Sequence, residues 1–461
     1  MSAIFAGLFG HGRALAAALL LAAAPSLTSV DKALAQHQGL VGLREIAGAQ
    51  GTPGARPAGP IYARPPRLDN GAERAELSFA LSAPVKATSF VLAAPDRIVV
   101  ELPQVEFAPA PADAGQARHR HAEADKPDGL VASYRFGLFA PGKSRIVIDL
   151  TAPARVLRAT SVSDRDGTHL IVALGKSDRA SFLATARHDL QAVEADTPAA
   201  APVQTASGNG LPVVVVDPGH GGIDSGAIVR GLVEKNIVFA FAKELAEKLR
   251  ASGHYKVIMT RDSDVFVALG DRVKIARDAG AALFVSIHAD TISDAASVSG
   301  ATVYTCSEHA SDAEAARTAE KENQADAVAG VESKDDDSGV SDILFDLTRQ
   351  ETRTYSHVFA RTLVNYWQVA ARLNKNPERS AGFRVLKAPD VPSVLIELGY
   401  LSNAADGSAL TSTRWRDKTT NKVAAAIDAF FTAKGVLPEN AAAAASAPAI
   451  PLDSTPTAAV K

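Results

Sequence analysis

The chain has 461 residues, a formal net charge of −3 and a single cysteine, Cys306. That length accommodates two or three domains, and the near-neutral balance supplies no global basic field of the kind that nucleic-acid binding requires. One cysteine excludes both a disulfide framework and a cysteine-based zinc ribbon.

At the N-terminus Arg13 precedes an apolar run from Ala14 to Ala24, shorter than the ~20 residues of a membrane-spanning helix. Ala33-Leu34-Ala35 then offers a small-x-small cleavage site, with cleavage after Ala24 as a second option and an uncleaved anchor as the competing reading. Residues 1–35 are thus predicted to be a signal peptide. The mature chain is expected in the periplasm without a transmembrane segment. Residues 36–66, rich in Gly, Ala and Pro, are expected to be a disordered lead-in.

Residues 67–176 change texture. Ala75–Leu81 alternates as a half-buried strand, and Thr88–Leu92, Arg97–Leu102, Ser144–Leu150 and Thr168–Leu174 are further β-runs. Turn signals at Ala94-Pro95-Asp96, Pro141-Gly142 and Asp166-Gly167 separate them. Short strands without intervening helical patterns predict an all-β sandwich. Arg118-His119-Arg120-His121 lies in a polar loop between them; no third ligand is placed to complete a metal site, so a solvated loop is the simpler reading. Residues 177–210 read as a Pro, Ala and Ser-rich linker.

From residue 211 to 435 strands alternate with helical patterns, which predicts an α/β domain with a mostly parallel sheet. Glu234 to Leu249 places Ile237, Phe241, Leu245 and Leu249 four apart, an amphipathic helix. Residues 436–461 are Ala, Pro and Thr-rich and read as a disordered tail.

The chemistry gathers at strand ends. Val213-Val214-Val215-Val216 runs into Asp217-Pro218-Gly219-His220-Gly221-Gly222, with Glu234 fourteen residues after His220. Ala282–Ile287 ends in His288-Ala289-Asp290, and Ser393–Ile396 ends in Glu397-Leu398-Gly399. Ligands bind outside the strand ends of open α/β sheets, and two histidines with two glutamates are side chains that a catalytic zinc site uses. A phosphate loop is excluded because no Lys-Ser or Lys-Thr follows the glycines at the required spacing.

Taken in order, Asp-Pro-Gly-His-Gly-Gly, Glu234-Lys235-Asn236, Ser286-Ile287-His288-Ala289-Asp290 and Ile396-Glu397-Leu398-Gly399-Tyr400-Leu401-Ser402-Asn403 resemble the zinc-dependent N-acetylmuramoyl-L-alanine amidases of the amidase_3 family, cell-division type. The β-runs before them resemble the AMIN domain, which is associated with peptidoglycan binding and septal targeting. The resemblance implies hydrolysis of the bond between muramic acid and the stem peptide, with Zn2+ held by His220, Glu234 and His288. It gives Glu397 the role of general base and acid, and burial behind an apolar strand raises a carboxyl pKa toward that task. The competing reading pairs Glu397 with Arg384 or Arg272 as a buried structural acid. Arg272 is expected to fix structure. Asp217 and Asp290 are expected to orient the ligand histidines, with turn stabilisation as the alternative for Asp217.

Between residues 307 and 356 about fifty residues are inserted where a compact connection is a few residues long. They carry twelve acids and five basic residues between Ser311 and Thr354. Ala315–Ala329 has helical composition, Asp335-Asp336-Asp337 reads as a turn, and Ile343–Leu347 is a short apolar anchor. A solvated acidic helix is the plain reading. The resemblance implies instead a regulatory segment that covers the active site until a LytM-like activator displaces it, with Glu322, or alternatively Glu320, taking the open position on the metal. Two further functions compete with the amidase: a zinc peptidase acting within the stem peptide, and a non-catalytic peptidoglycan-binding protein.

Overall fold

The computed structural model describes residues 60–108, 129–196, 210–292, 297–332 and 343–437. The predicted signal peptide, the His119/His121 loop, the Asp335–Asp337 turn and the tail beyond residue 437 lie outside the described residues.

Among the described residues ten strands build the N-terminal domain: β1 (Ile61–Ala63), β2 (Arg67–Asn70), β3 (Arg74–Leu81), β4 (Thr88–Leu92), β5 (Arg97–Pro103), β6 (Val105–Phe107), β7 (Val131–Ala140), β8 (Lys143–Leu150), β9 (Ala154–Asp164) and β10 (Gly167–Lys176). One sheet runs β6-β1-β3-β10-β9, with β2 on β3, and the other runs β4-β5-β8-β7. Alternation along the strands turns Leu77, Phe79, Ile98, Val100, Ile146, Ile148, Leu170 and Val172 inward to a common core. Antiparallel sheets usually leave their outer face to water. Here β5 and β8 are buried on both faces: Arg97, Val99, Arg145 and Val147, which point away from that core, are also covered.

Two boundaries differ from the sequence expectation. β1 falls inside the predicted lead-in and pairs with β3 and β6, so order begins before residue 67. The predicted linker opens with an 18-residue helix, α1 (Arg179–Asp196). Asp178 caps it by accepting from Ser181 N at 2.9 Å. Phe182 and Ala186 close one end of the sandwich core, and burying the phenyl ring alone contributes roughly 1.5–3 kcal/mol.

The C-terminal domain follows as β11 (Val213–Pro218), the hairpin β12 (Ile228–Val229) and β13 (Leu232–Val233), α2 (Glu234–Ser252), β14 (Lys256–Met259), α3 (Leu269–Asp278), β15 (Leu283–His288), β16 (Ala301–Cys306), α4 (Ala313–Glu322), α5 (Ala325–Val328), α6 (Ile343–Trp367), β17 (Leu373–Ala381), β18 (Ser393–Glu397), α7 (Ala404–Leu410) and α8 (Thr413–Ala433). The sheet order is β14-β11-β15-β18-β16-β17, parallel throughout except where β16 meets β18. Apolar strands such as Val213–Val216 are buried on both faces because helices cover both. Helices α2, α6 and α8 supply Phe241, Leu245, Phe359, Trp367, Ile427 and Phe430 to one side, while α3 and α4 supply Leu269, Ala276, Ala315 and Ala319 to the other.

Three parallel strands, β11, β15 and β18, lie side by side with Pro218 opposite Ile287 and His288 opposite Glu397. That register brings the ends of the three motifs to one edge of the sheet. The acidic stretch Ala315–Ala329 forms α4 and α5, broken at Asn323-Gln324. The expected apolar anchor is the first turn of α6, a 25-residue helix whose later turns join the core.

Candidate metal centre

Beyond β11 the chain turns through Gly219 and His220 in a loop caged by two buried arginines. Arg261 donates to Pro218 O at 3.0 Å and Gly219 O at 2.9 Å. Arg272 donates to Pro218 O and His220 O, both at 2.9 Å. These bonds hold His220 at φ 57°, a left-handed conformation disfavoured for a residue with a Cβ. Glycine is required just before it, because a Cβ on Gly219 would lie 2.5 Å from the His288 ring. The loop thus lets two imidazoles approach with ring centroids 4.9 Å apart.

Four side chains meet there. His220 Nε2 lies 3.1 Å from Glu234 Oε1 and 3.6 Å from Glu322 Oε2. His288 Nδ1 lies 3.0 Å from Glu322 Oε2 and 3.5 Å from Glu234 Oε1. One atom each of His220, His288 and Glu322 fits within a mutual spread of 4.8 Å. Glu234, fully buried at the start of α2, accepts from Ala289 N at 2.8 Å and Ala227 N at 2.9 Å, so both its oxygens are fixed by backbone. Glu320, the alternative blocking residue, is exposed, whereas its neighbour Glu322 is buried against both imidazoles.

Electrostatics show what the cluster suits. Burial alone would lower the histidine pKa values. The carboxylates outweigh it, Asp224 then Glu234 and Glu322 at His220, and Glu322 then Glu234 at His288, lifting His288 to about 10 and His220 well above its usual value. Two ionised carboxylates in a dry pocket call for positive charge between them. His220 Nε2 and His288 Nδ1 are buried with no hydrogen-bond partner. Nitrogen and oxygen donors converging on one point, with unsatisfied ring nitrogens, fit a small dication such as zinc.

The other ring nitrogen of His220 is held by a residue that sequence reasoning missed. Asp224 Oδ2 lies 2.8 Å from His220 Nδ1, and its Oδ1 accepts from Gly226 N at 3.0 Å. Asp217, expected in that orienting role with turn stabilisation as its alternative, takes a third one: it accepts from Arg272 at 2.7 Å, Thr260 at 2.5 Å and Ser286 at 2.6 Å, tying strand ends to α3. Asp290 does not orient His288 either. Its carboxylate pairs with Lys321 at the end of α4. Arg272 is structural, as expected, and its bonds to Asp217 and the loop carbonyls account for its guanidinium without Glu397.

Glu397 ends β18, fully buried. Oε2 accepts from Asp290 N at 3.0 Å while Oε1 has no partner. Burial foremost, then the neighbouring Asp290, hold its pKa well above the ordinary carboxyl range. An acid so placed is able to take up and return a proton near neutral pH.

The N-acetylmuramoyl-L-alanine amidase family model matches residues 214–429, and the AMIN domain model matches residues 67–174. The chain is 32% identical over 358 residues to the N-acetylmuramoyl-L-alanine amidase AmiC of Escherichia coli O6:H1, covering 75% of this chain and 84% of that one. It is 33% identical to AmiC of Neisseria meningitidis serogroup B, covering 77% of this chain and 86% of that protein. To AmiA of Escherichia coli K12 it is 39% identical over 224 residues, 48% of this chain and 77% of the other. With the ordered motifs meeting at one edge of a parallel sheet behind an AMIN-matched β domain, the chain belongs to the N-acetylmuramoyl-L-alanine amidases.

Proposed function

We propose that the protein is an exported, zinc-dependent amidase that splits septal peptidoglycan in the periplasm during cell division and is held inactive by its own insertion. The observation that carries this reading is the meeting of the unpartnered His220 Nε2 and His288 Nδ1 with Glu234 and Glu322, near the unpartnered Glu397 Oε1.

His220, His288 and Glu234 would hold the metal, and Glu322 would take the remaining position. Zinc bound there supplies a Lewis acid that polarises the scissile carbonyl and lowers the pKa of water to about 7. Glu397 Oε1 takes the proton of the attacking water and returns it to the nitrogen of the departing L-alanine. The muramyl side leaves as a carboxylic acid and the stem peptide as an amine. Asp224 fixes the His220 ring so that Nε2 points toward Glu234 and Glu322, where a metal would sit.

With Glu322 at the imidazoles, water and substrate cannot both reach the site, so α4 has to move before catalysis. A LytM-like activator is the proposed agent. Its proposed contact, Ile343–Leu347, is the first turn of α6, whose side chains lie outside the described residues.

Mass spectrometry of sacculi digested by the zinc-loaded Glu322→Ala protein tests the activity. Intact stem peptides released with a free L-alanine amine are expected; trimmed stems would make the enzyme a peptidase instead.

A further inference from the structure

The outer face of the β4-β5-β8-β7 sheet is covered by the end of the insertion. Three arginines on that face donate to four consecutive carbonyls at and beyond the C-terminus of α5. Arg97 Nη1 reaches Ala327 O, and Arg135 reaches Val328 O through Nε and Ala327 O through Nη2 at 3.4 Å. Arg145 Nη1 lies 2.8 Å from Ala329 O and 3.1 Å from Gly330 O. Cationic donors suit the last carbonyls of a helix, which lack intrahelical partners and carry the negative end of its dipole.

The arginines are themselves held in place. Arg145 pairs with Glu101 at 2.5 Å and lies 3.5 Å over the Phe139 ring. Arg135 pairs with Asp149 at 2.5 Å. Around them Leu92, Val99, Val147, Ile223, Phe266 and Ala329 form a shared apolar cluster with Val331 packed against it. Ile223 belongs to the loop that carries His220, and its N–H donates to Leu138 O of β7 at 3.0 Å. One face of the β domain therefore touches both the ligand loop and the segment that begins five residues after Glu322.

We propose that this face is the seat of the blocking segment: Arg97, Arg135 and Arg145 hold the carbonyls of residues 327–330 and thereby keep Glu322 at the two imidazoles. The inference rests on the blocking reading above and adds a second function to the β domain, that of a latch. On the catalytic side Asn323 bonds to Gly382 O at 2.9 Å and Asp326 to Leu269 N at 2.9 Å. The segment is thus held between the two domains, and each grip contributes to keeping it down. Undocking the β domain loosens α5 and, through the short Asn323-Gln324 connection, the carboxylate of Glu322.

The test uses the full-length, zinc-loaded protein in four forms: wild type, the Arg135→Met/Arg145→Met double variant, Val331→Asp and Glu322→Ala. Val331→Asp attacks the same interface from the segment's side and removes no pairing inside the β domain. Two quantities are read: amide hydrogen exchange over residues 325–331 and dye release from labelled sacculi. Each interface variant is expected to speed that exchange roughly tenfold or more, the double variant through loss of the four hydrogen bonds from Arg135 and Arg145 to residues 327–330 and Val331→Asp through a carboxylate set against an apolar cluster, and to raise hydrolysis toward the Glu322→Ala level. Adding either to Glu322→Ala should give no further gain. If Glu322→Ala releases activity but both interface variants keep wild-type exchange and hydrolysis, the latch is wrong and the blocking reading stands. If Glu322→Ala retains zinc and stays at the wild-type rate, the blocking reading fails, and control of Glu322 by this face fails with it.

Discussion

The two kinds of side chain at the candidate metal centre are held by different physics. His288 and Glu397 end β15 and β18 opposite each other in parallel register, His220 stands two residues past β11 in the loop caged by Arg261 and Arg272, and Glu234 is fastened by two backbone amides. Moving any of them means breaking the sheet or the caged loop. Glu322 comes from a ten-residue helix in an insertion, held by the Lys321–Asp290 pair, the Asn323 and Asp326 contacts and three arginines of the other domain. Each of those polar contacts can be given up without breaking the sheet, and lifting the helix also gives up the packing of two alanines, Ala315 and Ala319, on its face. On the proposed function the catalytic side chains sit on the rigid part and the blocking one on the part held by fewer ties, as a switch demands.

The largest effects belong to the rigid side. His220→Ala or His288→Ala should abolish zinc binding and hydrolysis while the β domain still folds, measured by metal content and by the domain's own melting transition. Full metal occupancy in either variant would remove that histidine from the ligand set. Glu397→Gln keeps the shape and the contact to Asp290 N but loses the proton acceptor. Zinc should stay while turnover falls on the order of 10²-fold or more; unchanged turnover would move the base elsewhere.

Asp224→Asn should weaken zinc binding by about 10–100-fold, because an amide orients the His220 ring less firmly and does not raise its basicity. Chelator competition reads this directly, and an affinity equal to wild type would reduce Asp224 to a turn residue. Glu322→Ala works in the opposite sense. A carboxylate tethered beside the metal competes at high effective concentration, so its removal should raise basal dye release on the order of tenfold. A rate no higher than wild type, with zinc retained, would leave α4 as packing on the sheet rather than a block.

How much of this was legible follows the same division. Strand-end histidines read clearly because a continuous apolar run terminating in Gly-His-Gly leaves few structural options, and the β15 and β18 motifs repeat the pattern. Asp224 did not read, since an aspartate in a Gly-Gly-Ile-Asp-Ser-Gly stretch has the composition of an ordinary turn; only the backward fold of the loop brings it to His220 Nδ1. Asp217 looked like a partner for histidine and instead answers Arg272, a contact fifty-five residues away that no local pattern encodes. Helix α1 was hidden because its apolar content is sparse: Phe182 and Ala186, four apart, are what it gives to the sandwich core. The Asp178 cap was the available signal. β1 was hidden by its length, three residues amid Pro and Arg, and exists because β3 and β6 offer it partners. The arginine face lay beyond sequence reading altogether. Arg97 and Arg145 alternate with core residues as solvated strand residues do, and residues 327–330 dock on them.

The smallest effect tests how the displaceable side is divided. Lys321 pairs with Asp290 at the site's edge, but its side chain is 47% exposed, and pairs open to water contribute at most about 1 kcal/mol. Lys321→Met keeps most of the apolar stem and removes the charge. Asp290, 2% exposed, then faces Glu322 with no cation beside it while α4 is down, and regains water when α4 lifts. The sign therefore favours opening, and the size follows from the exposed partner: basal hydrolysis should rise by no more than about fivefold, well below Glu322→Ala. Dye release and amide exchange over α4 should move together. A rise as large as that of Glu322→Ala would mean that this single pair, rather than the carboxylate and the arginine seat, holds the segment. A fall would mean that Lys321 helps lift α4 away, and the partition between a rigid catalytic edge and a multiply held cover would have to be redrawn around Asp290.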